Sequence, residues 1–213
     1  MNMHDIPSII NPNEQHMAVL FLIDTSGAMT GEPINEVINA INHFREEIIK
    51  NKELKDVLDV AVVEFNSTVR VVQEFVPVEF MEPVSFSTYG SSNRKLGLQM
   101  AIDMIGVRRR LYRHAGMEPY CPYLILITDD GCSDESIDDI TKMIHQYEEE
   151  NILRLWILLT KDSDPNRVKD EEITKRVFSL DSIDISKMFN WILCGTPVDS
   201  QPSKSLPLPL CDR

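Results

Sequence analysis

Short apolar runs of strand length alternate with amphipathic helical segments along most of this sequence, and few folds accommodate that alternation. HMAVLFLID (16–24), VLDVAVVEF (57–65), YLILITD (123–129) and ILRLWILLT (152–160) are nearly unbroken apolar stretches, and such strands require cover on both faces. TVRVVQEF (68–75) follows the second run after Asn66-Ser67, a hairpin-like connection, and RVFSL (176–180) supplies a sixth short strand. The expectation is an α/β fold. It is a doubly wound, mostly parallel six-stranded sheet with one antiparallel edge strand and helices on both faces.

The intervening segments carry helical periodicity. From Pro33 to Lys50, Ile34, Val37, Ile38, Ile41, Phe44 and Ile48 recur at helical spacing, with Pro in the first turn. Leu96 to about His114 reads as a second helix ending in Arg108, Arg109, Arg110 and Arg113, cations suited to a last turn, with a phosphate site as the alternative. Asp134 to Glu150 reads as an acidic helix capped by Ser133, another helix starts near Asn166, and ISKMFNWIL (185–193) is the last. Val76 to Asn93 holds Pro77, Pro83, Gly90 and several serines and reads as loop. Residues 1–15 read as an irregular leader, 16–194 as one domain, and 195–213, rich in Pro and Ser, as an extended tail.

Charge narrows the partners. A formal net charge of -13 weighs against nucleic acid or an anionic membrane, both of which need a concentrated positive surface, and favours a basic patch or a cation. No stretch approaches the ~18 apolar residues of a membrane span. The first residues carry acids, Asn and Pro where a secretory signal carries a basic and then an apolar block. The four cysteines, Cys121, Cys132, Cys194 and Cys211, show no CxxC or zinc spacing and read as reduced thiols. The expected location is cytoplasmic.

In doubly wound folds ligands sit at the carboxyl ends of the strands, and two strands end there in acids, at Asp24 and Asp129. The first opens Asp24-Thr25-Ser26-Gly27-Ala28-Met29, an acid with a hydroxyl two residues on, which suits a hard divalent cation. This resembles the DxSxS motif of von Willebrand factor type A domains, their metal-ion-dependent adhesion site. DTSGAMTGEPINEVINAI, Leu96-Gly97 and LITDDG are similar to the family's first strand and helix, distal segment and second acidic loop. GEPI, LYRHAGMEPYCPYLILITDDG, MFNWIL and LPLPL, in that order, resemble the tellurium-resistance-associated branch of bacterial cytoplasmic members.

The departures from that pattern bear on chemistry. Ala28 stands where the family has a second Ser, and SSNRKLG puts Arg94 where it has a metal-coordinating Thr, while Asp24, Ser26 and Asp129 keep the family's residue types. A divalent ion ~4 Å from a guanidinium meets a repulsion on the order of 8 kcal/mol at an effective dielectric near 20. One arrangement is therefore a metal-free cluster in which Arg94 balances Asp24 and Asp129. In the other, Arg94 points to solvent, Ser91, Ser92 or Asn93 takes the coordinating role, and Mg²⁺ or Mn²⁺ binds through Asp24, Ser26 and Asp129.

The expected function is a non-enzymatic protein-interaction module using the face around Asp24, Ser26, Ala28, Arg94 and Asp129, with no cofactor. The resemblance implies a protein partner, phosphatase-like or kinase-like, in a stress-response or defence assembly. A hydrolase or phosphotransferase using Asp24 as nucleophile is disfavoured, because Ser26 occupies the place of the second acid such enzymes carry. No GxxxxGK[ST] loop is present, and no local pattern joins Cys132, His114 and His145 into a nucleophile–base pair.

Overall fold

The structure, a computed structural model, describes residues 14–129, 137–160, 173–174 and 176–188. In chain order the elements are β1 (Met17–Asp24), α1 (Glu32–Lys50), α2 (Lys52–Lys55), β2 (Leu58–Phe65), β3 (Val69–Pro77), α3 (Arg94–His114), β4 (Tyr123–Thr128), α4 (Asp138–Glu149), β5 (Arg154–Leu159) and β6 (Val177–Ser179). The six strands form one sheet in the order β3-β2-β1-β4-β5-β6. All pairs are parallel except β2–β3, so the hairpin supplies the antiparallel edge.

Period-two alternation within fully buried strands explains their unbroken apolar character. Val19, Phe21 and Ile23 of β1 face Val37, Ile41 and Phe44 of α1, whereas Ala18, Leu20 and Leu22 face Leu98, Ala101 and Ile105 of α3. The chain steps from β1 to β2 across one face through α1, then reaches β4 on the other side of β1 through α3. The carboxyl ends of β1 and β4 thus flank the point where the winding reverses.

Helix starts follow the turn chemistry. Gly31 caps α1 at φ 96°, with Pro in the first turn. Asn93 caps α3, its side-chain oxygen accepting the Leu96 N–H at 3.1 Å. Helix α3 therefore begins two residues earlier than the apolar periodicity predicts, and β3 continues to Pro77 where loop was expected. Gly97 lies against β2: a Cβ there would meet Phe65 Cγ at 2.9 Å. The Ser133 cap, the helix near Asn166, the helix beyond Met188, the leader to residue 13 and the 195–213 tail lie outside the described residues. Residues 185–188 are helical.

The reading of Arg108 as a last-turn cation is corrected. Arg108 shares the sheet-facing stripe of α3 with Ile105 and Tyr112 and is 1% exposed, and its Nη2 lies 2.9 Å from Asp59 Oδ2. His16 Nδ1 is 3.1 Å from that oxygen, and the Tyr112 hydroxyl donates to it. Burial alone would push the Asp59 carboxyl up, but the His16 hydrogen bond, the Arg108 charge and the Tyr112 hydroxyl together hold it below the usual carboxylate range. Burial and the Asp59 charge push the Tyr112 phenol well up. This group ties the strand-start end of the sheet to α3, opposite the end where the acids converge.

Candidate functional site

Asp24, the last residue of β1, is 1% exposed. A carboxyl group in that setting needs hydrogen-bond partners, and three are found among the described residues. Its Oδ1 accepts the Ser26 N–H at 2.9 Å. Its Oδ2 accepts the Ser92 hydroxyl and the Thr128 hydroxyl, each at 3.0 Å. Thr128 ends β4, so one contact joins the two strands at the winding reversal, and Asp129 follows it directly, half-buried.

Three loops meet around this carboxylate. The 88–93 segment is fastened by alternate amides: Tyr89 N–H donates to the Thr25 carbonyl at 2.9 Å, Ser91 N–H to the Ser67 hydroxyl at 3.0 Å, and Asn93 N–H to the Asn66 carbonyl at 2.9 Å. Gly27 N–H returns a bond to the Gly90 carbonyl at 2.9 Å. Gly90 adopts φ +71°, and a Cβ there would overlap the Ser67 hydroxyl, so glycine is required for the loop to lie this close.

Asn66 joins all three loops. It is 1% exposed, its Nδ2 donates to Thr25 Oγ1 at 3.1 Å, its Oδ1 accepts the Thr68 N–H at 3.0 Å, and its carbonyl accepts Asn93. Thr25 Oγ1 in turn donates to the Phe65 carbonyl at 3.2 Å.

Of the residues singled out in the sequence, Asp24 and Ser26 are in direct contact and both are buried. Ala28 sits exposed on a 3-10 turn, Gly27–Met29. Arg94 is the first residue of α3, two residues after Ser92, and is fully buried at 0% exposure. Arg94 therefore does not point to solvent. Ser92 does approach Asp24, as that same alternative allowed, but as a hydrogen-bond donor to the acid. Thr128, Thr25 and Asn66 were not anticipated. A hydroxyl directly before Asp129 at a strand end was the available signal for Thr128, whereas Asn66 reads in sequence as an ordinary turn former.

Among the described residues no group of three or more His, Cys, Asp or Glu side chains is arranged to hold a metal ion. No described helix is long and apolar enough to cross a membrane.

The von Willebrand factor type A domain family matches residues 18–184, from β1 to just past β6. The chain belongs to that family. Solved structures with this von Willebrand factor type A fold include the pilus adhesin SpaC of Lactobacillus rhamnosus GG in its open conformation, at a TM-score of 0.60 and 13% identity over 84% of this chain and 29% of that one. A von Willebrand factor type A protein of Catenulispora acidiphila aligns at 0.56 and 15% identity, over 73% of this chain and 36% of that one. Proximal thread matrix protein 1 of the mussel byssus aligns at 0.53 and 15% identity, over 85% and 48%. The chain spans less than half the length of each of these, and the likeness is one of fold. No curated protein matches it by sequence. In this von Willebrand factor type A domain the crevice between β1 and β4 holds a carboxylate that accepts hydrogen bonds from Ser26, Ser92 and Thr128 of its own chain.

Proposed function

We propose that the protein is a non-enzymatic, metal-independent interaction module that holds a partner protein with the loops at the carboxyl ends of β1, β2 and β4. The observation that carries this reading is the state of Asp24, whose two oxygens take three internal donors, Ser26 N–H, Ser92 Oγ and Thr128 Oγ1. A buried Arg94 stands at the position where the resemblance implies a metal-coordinating Thr. A divalent ion at Asp24 would displace two hydroxyl donors, while Ala28 offers a methyl in place of a hydroxyl ligand. Arg94 supplies the charge that a metal would otherwise bring to Asp24 and Asp129.

The adhesin and matrix-protein neighbours lend the partner-binding reading a precedent of fold. The motifs shared with the tellurium-resistance-associated branch suggest a cytoplasmic setting and a scaffold role beside phosphatase-like or kinase-like proteins. Calorimetric titration of Mg²⁺ and Mn²⁺ into the parent chain and an Ala28→Ser, Arg94→Thr double variant tests the metal-free site. The expected result is no heat of binding in the parent and saturable binding in the variant. Saturable binding in the parent would make this a metal-dependent domain instead. Turnover of a generic aryl phosphate abolished by Asp24→Asn would overturn the non-enzymatic reading.

A further inference from the structure

The opposite end of the sheet, where the strands begin, carries a group of charges that the interaction reading does not use. Cys121 lies half-buried just before β4. The side-chain charges that act on its thiol most strongly are those of Arg154, Arg109, Glu148 and Arg176, so three cations from α3, β5 and the residue before β6 meet one acid around it. Hydrogen bonds fix much of that arrangement. Arg154 opens β5, and its N–H donates to the Pro122 carbonyl, next to Cys121, at 2.9 Å. Glu148 Oε1 accepts the Leu155 N–H at 2.9 Å and Arg176 Nη1 at 2.6 Å.

That acid is therefore taken by Arg176 and the β5 backbone. Arg154 Nη2 donates to a neutral partner, Asn151 Oδ1, at 2.8 Å. The Nε of Arg109 is buried and has no hydrogen-bond partner among the described residues. Burial and the charge of Arg113, one turn on along α3, both hold the Arg109 guanidinium below its ordinary value. A guanidinium withdrawn from water beside another cation is costly unless an anion completes the arrangement. Other acids are close in sequence. Glu118 in the α3–β4 loop and Glu149 and Glu150 at the end of α4 are exposed. Residues 161–172 and Lys175 lie outside the described residues, and their four cations and five acids nearly cancel.

We propose that Arg109, Arg154 and Arg176 form an oxyanion site around Cys121 that takes a single phosphate group, free or carried on a phosphorylated residue. The phosphate alternative raised by the arginine run thus moves to Arg109 and two strand-start arginines, since Arg108 is committed to Asp59. Guanidinium forks match the oxygens of a tetrahedral dianion, and forks from separate elements can hold different oxygens at once. The exposed Glu118, Glu149 and Glu150 narrow the class of ligand. A polyanion such as nucleic acid meets their repulsion along its length, whereas one phosphate group need reach only the arginines. The site is independent of the loops around Asp24 and stands whether or not those loops dock a partner.

Cys121 is a reporter inside the proposed site. Iodoacetamide alkylation of the intact chain is followed by mass spectrometry of the Cys121 peptide, with inorganic phosphate titrated against sodium chloride of equal ionic strength. A bound dianion disfavours the thiolate and covers it, so the rate should fall about threefold or more, saturably, with phosphate and not with chloride. The Arg109→Gln, Arg154→Gln double variant, its fold verified by circular dichroism, should lose that dependence. The Cys132, Cys194 and Cys211 peptides report any general effect of phosphate on the reagent. A phosphoserine peptide and its unphosphorylated twin separate the sources. Protection by the phosphopeptide at concentrations where inorganic phosphate gives none assigns the group to a phosphorylated protein, and protection by inorganic phosphate alone assigns it to the free ion. Protection that chloride reproduces, that the double variant keeps or that never saturates overturns the site, as does a Cys121 rate indifferent to both probes.

Discussion

Two buried acids sit at opposite ends of the sheet, and each is balanced by groups from other elements. Asp59 is held by His16, Arg108 and Tyr112. Removing one partner of a buried ion pair strands the other, so Asp59→Ala should cost about 3–5 kcal/mol, read as a fall in the urea midpoint. A double Asp59→Leu, Arg108→Met variant should recover most of that loss. Because the Asp59 carboxyl is held below its unfolded value, its contribution is present above about pH 4 and is lost as pH falls through the folded-state value. The parent should therefore lose stability more steeply in acid than Asp59→Asn, measured by urea midpoints across that range. At the other end, Thr128→Val keeps the shape but removes a donor to the Asp24 carboxylate. A loss of about 1.5–3 kcal/mol is expected, and an unchanged midpoint would mean the Thr128 hydroxyl does not support the site.

At the scale of elements, the close seat of α3 on β2 sets where the 88–93 loop and Arg94 arrive. Gly97 permits that seat, since a Cβ would press on Phe65 at 2.9 Å. Gly97→Ala, though it raises helix propensity, should destabilise the domain by about 1–3 kcal/mol through overpacking, and Gly97→Ala with Phe65→Leu should regain part of it. The strands and their pairing were readable from the chain because fully buried strands leave uninterrupted apolar runs and the Asn66-Ser67 break marks a hairpin. The start of α3 was less readable, since its first turn, Arg94 and Lys95, has no apolar periodicity and is specified by the Asn93 cap. The arginine run at its end misled for a related reason. Residue type alone cannot separate Arg109, Arg110 and Arg113 from Arg108, whose helical phase with Ile105 and Tyr112 turns it toward the sheet.

For the whole molecule, net charge bears on the partner, and internal hydrogen bonding bears on the candidate site. The -13 average suggests a basic partner or a cation, and the Asp24 carboxylate at the candidate face already accepts from three groups of its own chain. The meeting of the β1 and β4 ends was legible because strand ends can be located from the apolar runs. The supporting groups Thr128, Thr25 and Asn66 were not, because a hydroxyl or amide acquires such a role only when distant loops are brought together. A domain whose site is complete without a metal has a plain signature in its thermal unfolding. A divalent ion bound at a hundredfold excess over its dissociation constant adds about 2.7 kcal/mol, or about 5 °C or more for a chain of this size. The melting midpoint of the parent in chelator and in excess Mg²⁺ should coincide, while that of Ala28→Ser, Arg94→Thr should rise with the metal. A rise of that size in the parent would contradict the metal-free site.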